Sequence, residues 1–238
     1  LSNMVWAFAT AGVYDKKLYE MVANEAVQRQ LRGFNPQDIS NVVWAFATAN
    51  IYHMKLFEEV KLVCSQLLVE KKMNKKNLSS LHLWMLWLHL EYHVPYDELP
   101  FEGSMRCECK KAMEDSSIHV SRLQRSVGAI LAEVCPGFEE EFKDEHTSYS
   151  IDLALHSSLI AIEVDGPSHF ISSLTDKSKK NLNGSTLLKQ RLLAAAGWKV
   201  IRIPYYKWDS LSDKLDKKNY LEGLLNEAGL NTSTAEHM

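Results

Sequence analysis

Four residues in the C-terminal half of the chain have the types and spacing of a hydrolytic or metal-binding centre. Two of them, Glu163 and Asp165, alternate with apolar residues in the run IAIEVD at 160–165. Side chains alternate between the two faces of a strand, so a strand here places both carboxylates on one side and Ile162 and Val164 on the other.

The other two residues are predicted to reach the same strand end. Gly166 and Pro167 bend the chain and return His169 toward the strand, while Asp152 lies on a preceding strand, across a hairpin. Carboxylates and an imidazole gathered there can hold a divalent cation or activate water for phosphodiester cleavage. The plainer interpretation is a hydrogen-bonded cluster that only stabilises the turn.

Cations and aromatic residues follow this turn. The candidate phosphate ligands are Lys177, Lys179, Lys180, Lys189, Arg191 and Arg202. Phe170, Tyr205 and Tyr206 could stack on unpaired bases, whereas Trp198 and Trp208 are expected in the core. The alternative interpretation of the cations is an ordinary solvated surface.

Composition excludes several classes of protein. The chain has 238 residues, 46% of them hydrophobic, with 10 Gly, 6 Pro and 4 Cys. These values exclude collagen-like, disulfide-scaffold and globally disordered chains. No apolar run approaches the roughly 20 residues that span a bilayer, so we expect no membrane partner. The four cysteines lack zinc-site spacing and indicate reduced thiols in an intracellular or organellar compartment.

Charge is unevenly distributed along the chain. The net charge is −3, and acidic residues are most in excess over residues 78–150. Phosphate contacts need cations, so nucleic acid must be bound by local patches rather than by the global field.

A repeat occupies the N-terminal third. Residues 2–11 and 40–49 agree at nine of ten positions with a spacing of 38. A fixed period of this size predicts an array of helix pairs. Since Leu1 falls inside the repeat pattern in place of a Met, we expect the natural chain to begin earlier, with further repeats and any targeting peptide before Leu1.

Helix signals support the array. Asn35 and Pro36 are typical of a helix start, and Gly12 and Asn50 occupy equivalent stop positions. A second helix is predicted from about Met54 to Glu70, and a degenerate third unit from Asn77. The aromatic residues Trp6, Phe8, Trp44 and Phe46 are predicted in the core, with Trp6 and Trp44 in equivalent buried positions.

The C-terminal part predicts an α-β-β-β-α-β order with a small mixed sheet. The predicted elements are a helix over 120–134, strands at 138–142, 149–155 and 159–164, a polar loop over 172–183, a helix over 185–196, a strand over 198–203 and a last helix over 208–228.

Two resemblances follow from these motifs. The 38-residue period and its WAFA helix resemble the octotricopeptide repeats of organellar RNA-processing factors, and the related repeats of the Fas-activated serine/threonine kinase domain proteins. The segments IEVDGPSHF at 162–170 and TLLKQRLLAAAGWKVIRIPYYKW at 186–208 resemble the RAP domain. That domain is similar to PD-(D/E)xK nucleases and very-short-patch repair endonucleases.

The nuclease resemblance implies a metal site with one departure. Asp152 takes the place of the first acid and Glu163 that of the second, but Asp165 stands where the lysine belongs. His169 or Lys189 is the candidate substitute for this lysine. We therefore expect RNA binding without cleavage and no cofactor; Mg²⁺ enters only in the alternative, a metal-dependent RNA endonuclease.

The sequence thus predicts an α+β protein, with an N-terminal α-helical repeat solenoid followed by an α/β PD-(D/E)xK endonuclease-like RAP domain. The predicted divisions are two repeats over 1–77, a degenerate third repeat and acidic connector over 78–115, the RAP domain over 116–208, and a C-terminal helix and tail over 209–238. The resemblances imply a mitochondrial (or plastid) RNA-binding protein. Expected partners are RNA, rRNA above all, and organellar ribosomal or RNA-processing proteins. A transient processing factor and a permanent ribosomal subunit both remain open.

Overall fold

The chain divides into two compact units. The structure is a computed structural model that describes residues 1–115, 120–172 and 180–230. The first unit comprises Leu1–Ser116 and Ile171–Leu192, and the second comprises Ser117–Phe170 and Leu193–Met238. Each unit is therefore built from two separate stretches of sequence.

The first unit is mainly helical, whereas the second combines a four-stranded sheet with helices. In chain order, the helices are α1 (Ser2–Thr10), α2 (Lys16–Gln28), α3 (Pro36–Ala49), α4 (Met54–Val69), α5 (Lys75–Tyr92), α6 (Gly103–Glu114), α7 (Arg122–Val134), α8 (Gly184–Ala195), α9 (Tyr205–Trp208) and α10 (Lys214–Glu227). The strands are β1 (Glu139–Lys143), β2 (Ser150–Leu155), β3 (Ile160–Asp165), β4 (Phe170–Ser172), β5 (Lys180–Leu182) and β6 (Lys199–Pro204). Among the described residues, none of the helices has both the length and the apolar character needed to cross a membrane.

The repeat pattern produces helix pairs with matching starts. The Asn35 side chain accepts a hydrogen bond from the Asp38 amide, and the Asp38 carboxylate accepts one from the Asn35 amide. Asn74 and Asn77 repeat this reciprocal cap at the start of α5. Each cap satisfies amides that the first helical turn leaves without partners.

Equivalent helices pack side by side. The first helices of the pairs form a layer in which α3 lies between α1 and α5, while α2 packs against α4. Aromatic rings link the two layers: Phe46 of α3 meets Tyr19 of α2 and Phe57 of α4 with centroids 5.1 and 6.1 Å apart. The predicted helix stops are confirmed, because both Gly12 (φ +63°) and Asn50 (φ +55°) are left-handed.

The prediction that all four repeat aromatic residues lie in the core is confirmed only for Phe46. Phe46 is fully buried, but Trp6 and Phe8 are 39% and 37% exposed. Trp44 is only half-buried, so the two tryptophans are similar to each other without being core residues. The reason is the layer order. Helix α3 has a neighbour on each side, whereas α1 packs against α3 and α2 with its Val5 and Ala9 side.

The third helix pair is more complete than its sequence indicates. Helix α5 buries both Trp84 and Trp87 and ends at the left-handed His93. Helix α6, which was not predicted, packs against α5 and takes the place of a second helix. The connector over 78–115 is thus largely helical.

The second unit is the predicted small mixed sheet with helices. The strand order is β1-β2-β3-β6, with antiparallel pairing between the first three strands and parallel pairing between β3 and β6. The core lies between one sheet face and helices α7 and α10. Its central residues are Val127, Leu131, Leu153, Ile162, Ile203, Leu221 and Leu225.

Two details of the predicted C-terminal part differ. The predicted helix over 208–228 begins later, at Lys214, because the Asp213 side chain accepts a hydrogen bond from the Asp216 amide and starts α10 there. The short helix α9 ends at Trp208, where the prediction begins. The predicted polar loop over 172–183 contains the end of β4 and the whole of β5, which form a two-stranded sheet.

Candidate functional site

Strand β3 places the predicted acids as the alternation requires. Ile162 and Val164 belong to the core between the sheet and helices α7 and α10. Glu163 and Asp165 lie on the opposite face of the strand, and both are nonetheless buried, at 3% and 1% exposure. Buried carboxylates are rare unless they are ion-paired or hydrogen-bonded, so this face of the sheet must supply polar or charged partners for them.

Asp152 is brought beside them by the antiparallel pairing of β2 with β3. Leu153 is the register partner of Ile162, which places Asp152 next to Glu163 along the sheet. One Asp152 carboxylate oxygen accepts the backbone amide of Val164 at 2.7 Å. This carboxylate therefore ties two strands together as well as contributing charge to the site.

Helix α7 is held to strand β2 through the buried side-chain amide of Gln124. Gln124 is 4% exposed, and its Nε2 donates to the carbonyl oxygen of Asp152 at 3.2 Å and to Oε1 of Glu141 at 2.9 Å. Ser150 donates to the other Glu141 oxygen at 2.7 Å. No structural role is predicted for Gln124 from the sequence. Its signal was a polar residue three positions before the buried Val127, on the apolar side of the helix.

The end of β3 carries an ion-paired triad. The Arg202 guanidinium on β6 pairs with Oδ1 of Asp165, and Nδ1 of His169 lies 3.2 Å from the same oxygen. Arg202 is 14% exposed and Asp165 1%, while His169 is 38% exposed. The triad thus extends from a buried cation to a half-exposed imidazole.

The triad changes the electrostatics expected from the sequence. Arg202 is the register partner of Glu163 on the neighbouring parallel strand, so a cation lies among the three acids. The site holds an acid where the nuclease resemblance requires a lysine, and Arg202 compensates the charge of that acid. The prediction that Arg202 contacts RNA phosphates is therefore corrected: it acts as an internal counterion.

These residues do not fit a divalent-cation site. Over residues 1–115, 120–172 and 180–230, no group of three or more His, Cys, Asp or Glu side chains is arranged to hold a metal ion. Asp165 already has Arg202 and His169 as partners, and one oxygen of Asp152 is used by the Val164 amide.

Arg191 also serves the protein rather than a ligand. It lies in the first unit on α8, where its Nε and Nη2 donate to the Glu91 carboxylate at 3.1 and 2.7 Å. The guanidinium also donates to the carbonyl oxygens of Thr48 (2.7 Å) and Ala47 (3.2 Å), the last turn of α3. These bonds cap the helix and use four of the five guanidinium N–H donors.

The other predicted cations are divided between parts of the chain. Lys177 and Lys179 lie outside the described residues. Lys180 on β5 and Lys189 on α8 are half-buried and belong to the first unit, whereas His169 belongs to the second. The described part of the chain therefore does not show the predicted phosphate ligands as a single basic cluster.

An aromatic cluster adjoins the triad. Phe170, Tyr205 and Tyr206 meet pairwise with centroids 5.5–5.8 Å apart and steep interplanar angles. Tyr206 is 43% exposed. Trp198 and Trp208 are buried, as predicted.

Comparisons with known proteins match parts of this chain to one family and to several relatives. Residues 162–224 match the family model of the RAP domain. A RAP domain-containing protein, chloroplastic, of Oryza sativa subsp. japonica is 27% identical over 151 residues, which cover 62% of this chain and 22% of the rice protein.

Two mitochondrial proteins are also similar. FAST kinase domain-containing protein 3 of Bos taurus is 31% identical over 100 residues, 40% of this chain and 14% of the bovine protein. Its Rattus norvegicus counterpart is 30% identical over 74 residues, 31% of this chain and 10% of the rat protein. The chain spans less than a quarter of the length of each of these relatives.

Proposed function

Because the chain contains a RAP domain, we propose that it is an organellar RNA-binding protein. Helical repeats before a RAP domain are typical of proteins that process or stabilise rRNA and mRNA or assemble ribosomes. Similar proteins are named as chloroplastic and as mitochondrial, which supports an organelle. We favour the mitochondrion, with the plastid as the alternative.

One observation carries the choice of binding over cleavage. Asp165, at the position where the nuclease resemblance places a lysine, is held by Arg202 and His169. Metal-assisted hydrolysis needs carboxylates for the ion and a group that orients the attacking water. The triad occupies the place of that second group, which supports recognition of RNA without cleavage.

A permanent place in a ribonucleoprotein fits the surface charge. The net charge of −3 and the acid excess over 78–150 leave little long-range attraction for RNA. A protein fixed between rRNA and neighbouring proteins needs less long-range attraction for RNA. We therefore propose a component of a particle such as the mitochondrial ribosome.

Co-sedimentation tests this placement. Epitope-tagged protein in organellar lysate should migrate with ribosomal particles in sucrose gradients at 50 mM and at about 500 mM KCl. A transient factor leaves the particle at high salt, because phosphate contacts weaken steeply with ionic strength. Migration with light fractions at both salt concentrations would contradict any association with the particle.

The phosphate contacts are tested separately with purified protein. We expect the triple Lys177→Gln, Lys179→Gln and Lys180→Gln variant to bind single-stranded RNA more weakly whatever its sequence. The slope of log K against log salt should decrease by about 0.7 for each lost phosphate contact. A matched triple change at Lys16, Lys17 and Lys55 is the control. If only this control loses affinity, RNA is bound by the helical repeats instead.

A metal-dependent RNA endonuclease is the alternative. The proximity of Asp152 to Glu163 supports it, whereas the pairing of Asp165 with Arg202 and His169 opposes it. We expect bound RNA to stay intact for hours with Mg²⁺ or Mn²⁺. Reproducible cleavage that is lost in both Glu163→Gln and Asp152→Asn, with folding unchanged, would establish the enzyme.

A further inference from the structure

We propose that Tyr206, supported by Phe170 and Tyr205, is a stacking site for one unpaired base of single-stranded RNA. The inference rests on the proposed RNA-binding function and adds to it the place and the chemical class of contact. It concerns the second unit alone, at the ends of β3 and β6.

The register of the parallel strands creates this site. Asp165, the last residue of β3, is the register partner of Pro204, the last residue of β6. The chain therefore leaves both strands at the same sheet edge. One exit leads through the His169 turn to Phe170, and the other leads directly to Tyr205 and Tyr206. Loops at the carboxyl ends of parallel strands are where open α/β sheets bind ligands.

The rings are arranged as a platform rather than as a closed core. Phe170 is 5.8 Å from Tyr205 and 5.5 Å from Tyr206, and the interplanar angles in the cluster are 63–86°. Edge-to-face packing holds each ring without covering it by a parallel neighbour. Tyr206 is 43% exposed, whereas Trp198 and Trp208 of the same unit are buried.

The local charge favours a nucleotide over a neutral aromatic ligand. Arg202 compensates Asp165, which lies only five residues before Phe170, so the platform does not face an uncompensated carboxylate. His169 immediately precedes Phe170 and is 38% exposed on its side chain. Lys207, next to Tyr206, is exposed. The Lys207 ammonium can donate to a phosphate or to a base edge beside the stacked ring.

Only an unpaired base can use this platform. In a duplex both faces of each base are covered by neighbours, whereas loops and single strands present free faces to aromatic side chains. Stacking tolerates any base, since every base has a π face. The site therefore discriminates single strands from duplexes and does not read a sequence.

The test uses the full 238-residue chain and a fluorescein-labelled 15-nucleotide oligouridine, alone and paired with oligoadenosine. We expect Tyr206→Ala and Tyr206→Leu to weaken single-strand binding by roughly 5- to 150-fold, the range of one base–aromatic contact. Tyr206→Phe should bind like the unchanged protein. The slope of log K against log salt should stay the same in all of them, because no phosphate contact is lost.

Leu159→Ala is the matched control. Leu159 is also 43% exposed but precedes β3, at the opposite end of the strand. Its change should leave binding unaltered. Tyr206→Leu keeps an apolar side chain and guards against a folding defect in Tyr206→Ala, which a thermal unfolding curve detects directly.

Each outcome bears on a different part of the proposal. Wild-type affinity in both Tyr206→Ala and Tyr206→Leu overturns the stacking site and leaves the RNA-binding function standing. A loss in Tyr206→Phe as large as in Tyr206→Ala also overturns it, because the hydroxyl would then be the contact. Absence of RNA binding by the unchanged protein overturns the proposed function itself.

Discussion

Asn77 on α5 donates a hydrogen bond to the Ser40 hydroxyl on α3 at 2.9 Å. One repeat earlier, the equivalent pair is Ser2 of α1 and Asp38 of α3, which are also hydrogen-bonded, here with the serine as donor. The same two positions thus join successive first helices, although the direction of the bond differs. In both pairs the residue on the later helix, Asp38 or Asn77, also closes the cap of its own helix.

Asn77→Ala should lower the free energy of unfolding by about 1–3 kcal/mol. The change removes the bond to Ser40, the bond to Gln37 and half of the reciprocal cap, and it leaves Ser40 buried without this partner. Urea denaturation followed by circular dichroism measures the loss. Ser79→Ala on the same helix is the control, because Ser79 donates only to the Lys75 carbonyl one turn away. Equal effects of the two changes would contradict the inter-repeat role.

Arg202→Met should destabilise the chain by about 3–5 kcal/mol, since it leaves the Asp165 carboxylate buried without its counterion. The double change Arg202→Met with Asp165→Asn should recover a large part of this loss. A double-mutant cycle in urea at neutral pH measures the coupling. Independent, additive effects would show that the two side chains do not depend on each other.

Gly184→Ala should cost about 1–3 kcal/mol through overpacking. A Cβ at this position would overlap the Ala9 carbonyl oxygen and lie 2.8 Å from Cγ2 of Thr48. Gly103→Ala provides the contrast, because a Cβ there meets no atom within 4 Å. Thermal unfolding should show a lower midpoint for the first variant and an unchanged or higher midpoint for the second.

Alkylation should distinguish the exposed cysteine Cys107 from the buried Cys64 and Cys109. Burial raises the pKa of both Cys64 and Cys109 to about 12, so these thiols stay protonated and unreactive at pH 8. Cys107 is exposed, and N-ethylmaleimide should modify it first. Peptide mass spectrometry of briefly treated native protein checks the order. Early modification of Cys64 would indicate that the repeat core opens readily.

The same shifts predict how stability changes with pH. An unfolded thiol ionises near pH 8.5, well below the pKa of these folded thiols. Their contribution to stability is therefore complete below about pH 8.5 and is lost as pH rises toward 12, by roughly 1.4 kcal/mol per pH unit for each thiol. Cys64→Val combined with Cys109→Val should reduce the decline measured between pH 8.5 and 10.

Local patterns predicted most of the elements and the geometry of the acids. The alternation around Glu163 fixed which residues face the core, and the 38-residue spacing located equivalent helices. Helix α6 was missed because Cys109 is its sole fully buried residue, so its apolar periodicity is weak. The start of α10 was predicted too early, because the capping role of Asp213 was not recognised.

The roles of the arginines could not be predicted in the same way. A cation on a helix or strand has the same local signature whether it faces a phosphate or a carboxylate of its own chain. Arg191 finds Glu91 a hundred residues away, and Arg202 finds Asp165 on a neighbouring strand. Only tertiary packing distinguishes these partners from RNA.

The hydrogen bond from Arg191 to the Thr48 carbonyl also constrains synthesis, because it joins residues 143 positions apart. At roughly 5–20 residues per second, a ribosome takes about 7–30 s to add that length of chain. Throughout that interval the last turn of α3 lacks this cap, although the helices around it have already emerged. Strands β1–β3 of the second unit are made before Arg191 completes the first. The two units must therefore mature as interleaved intermediates, and nascent-chain proteolysis should find the helical layer protected only once residue 191 has left the exit tunnel.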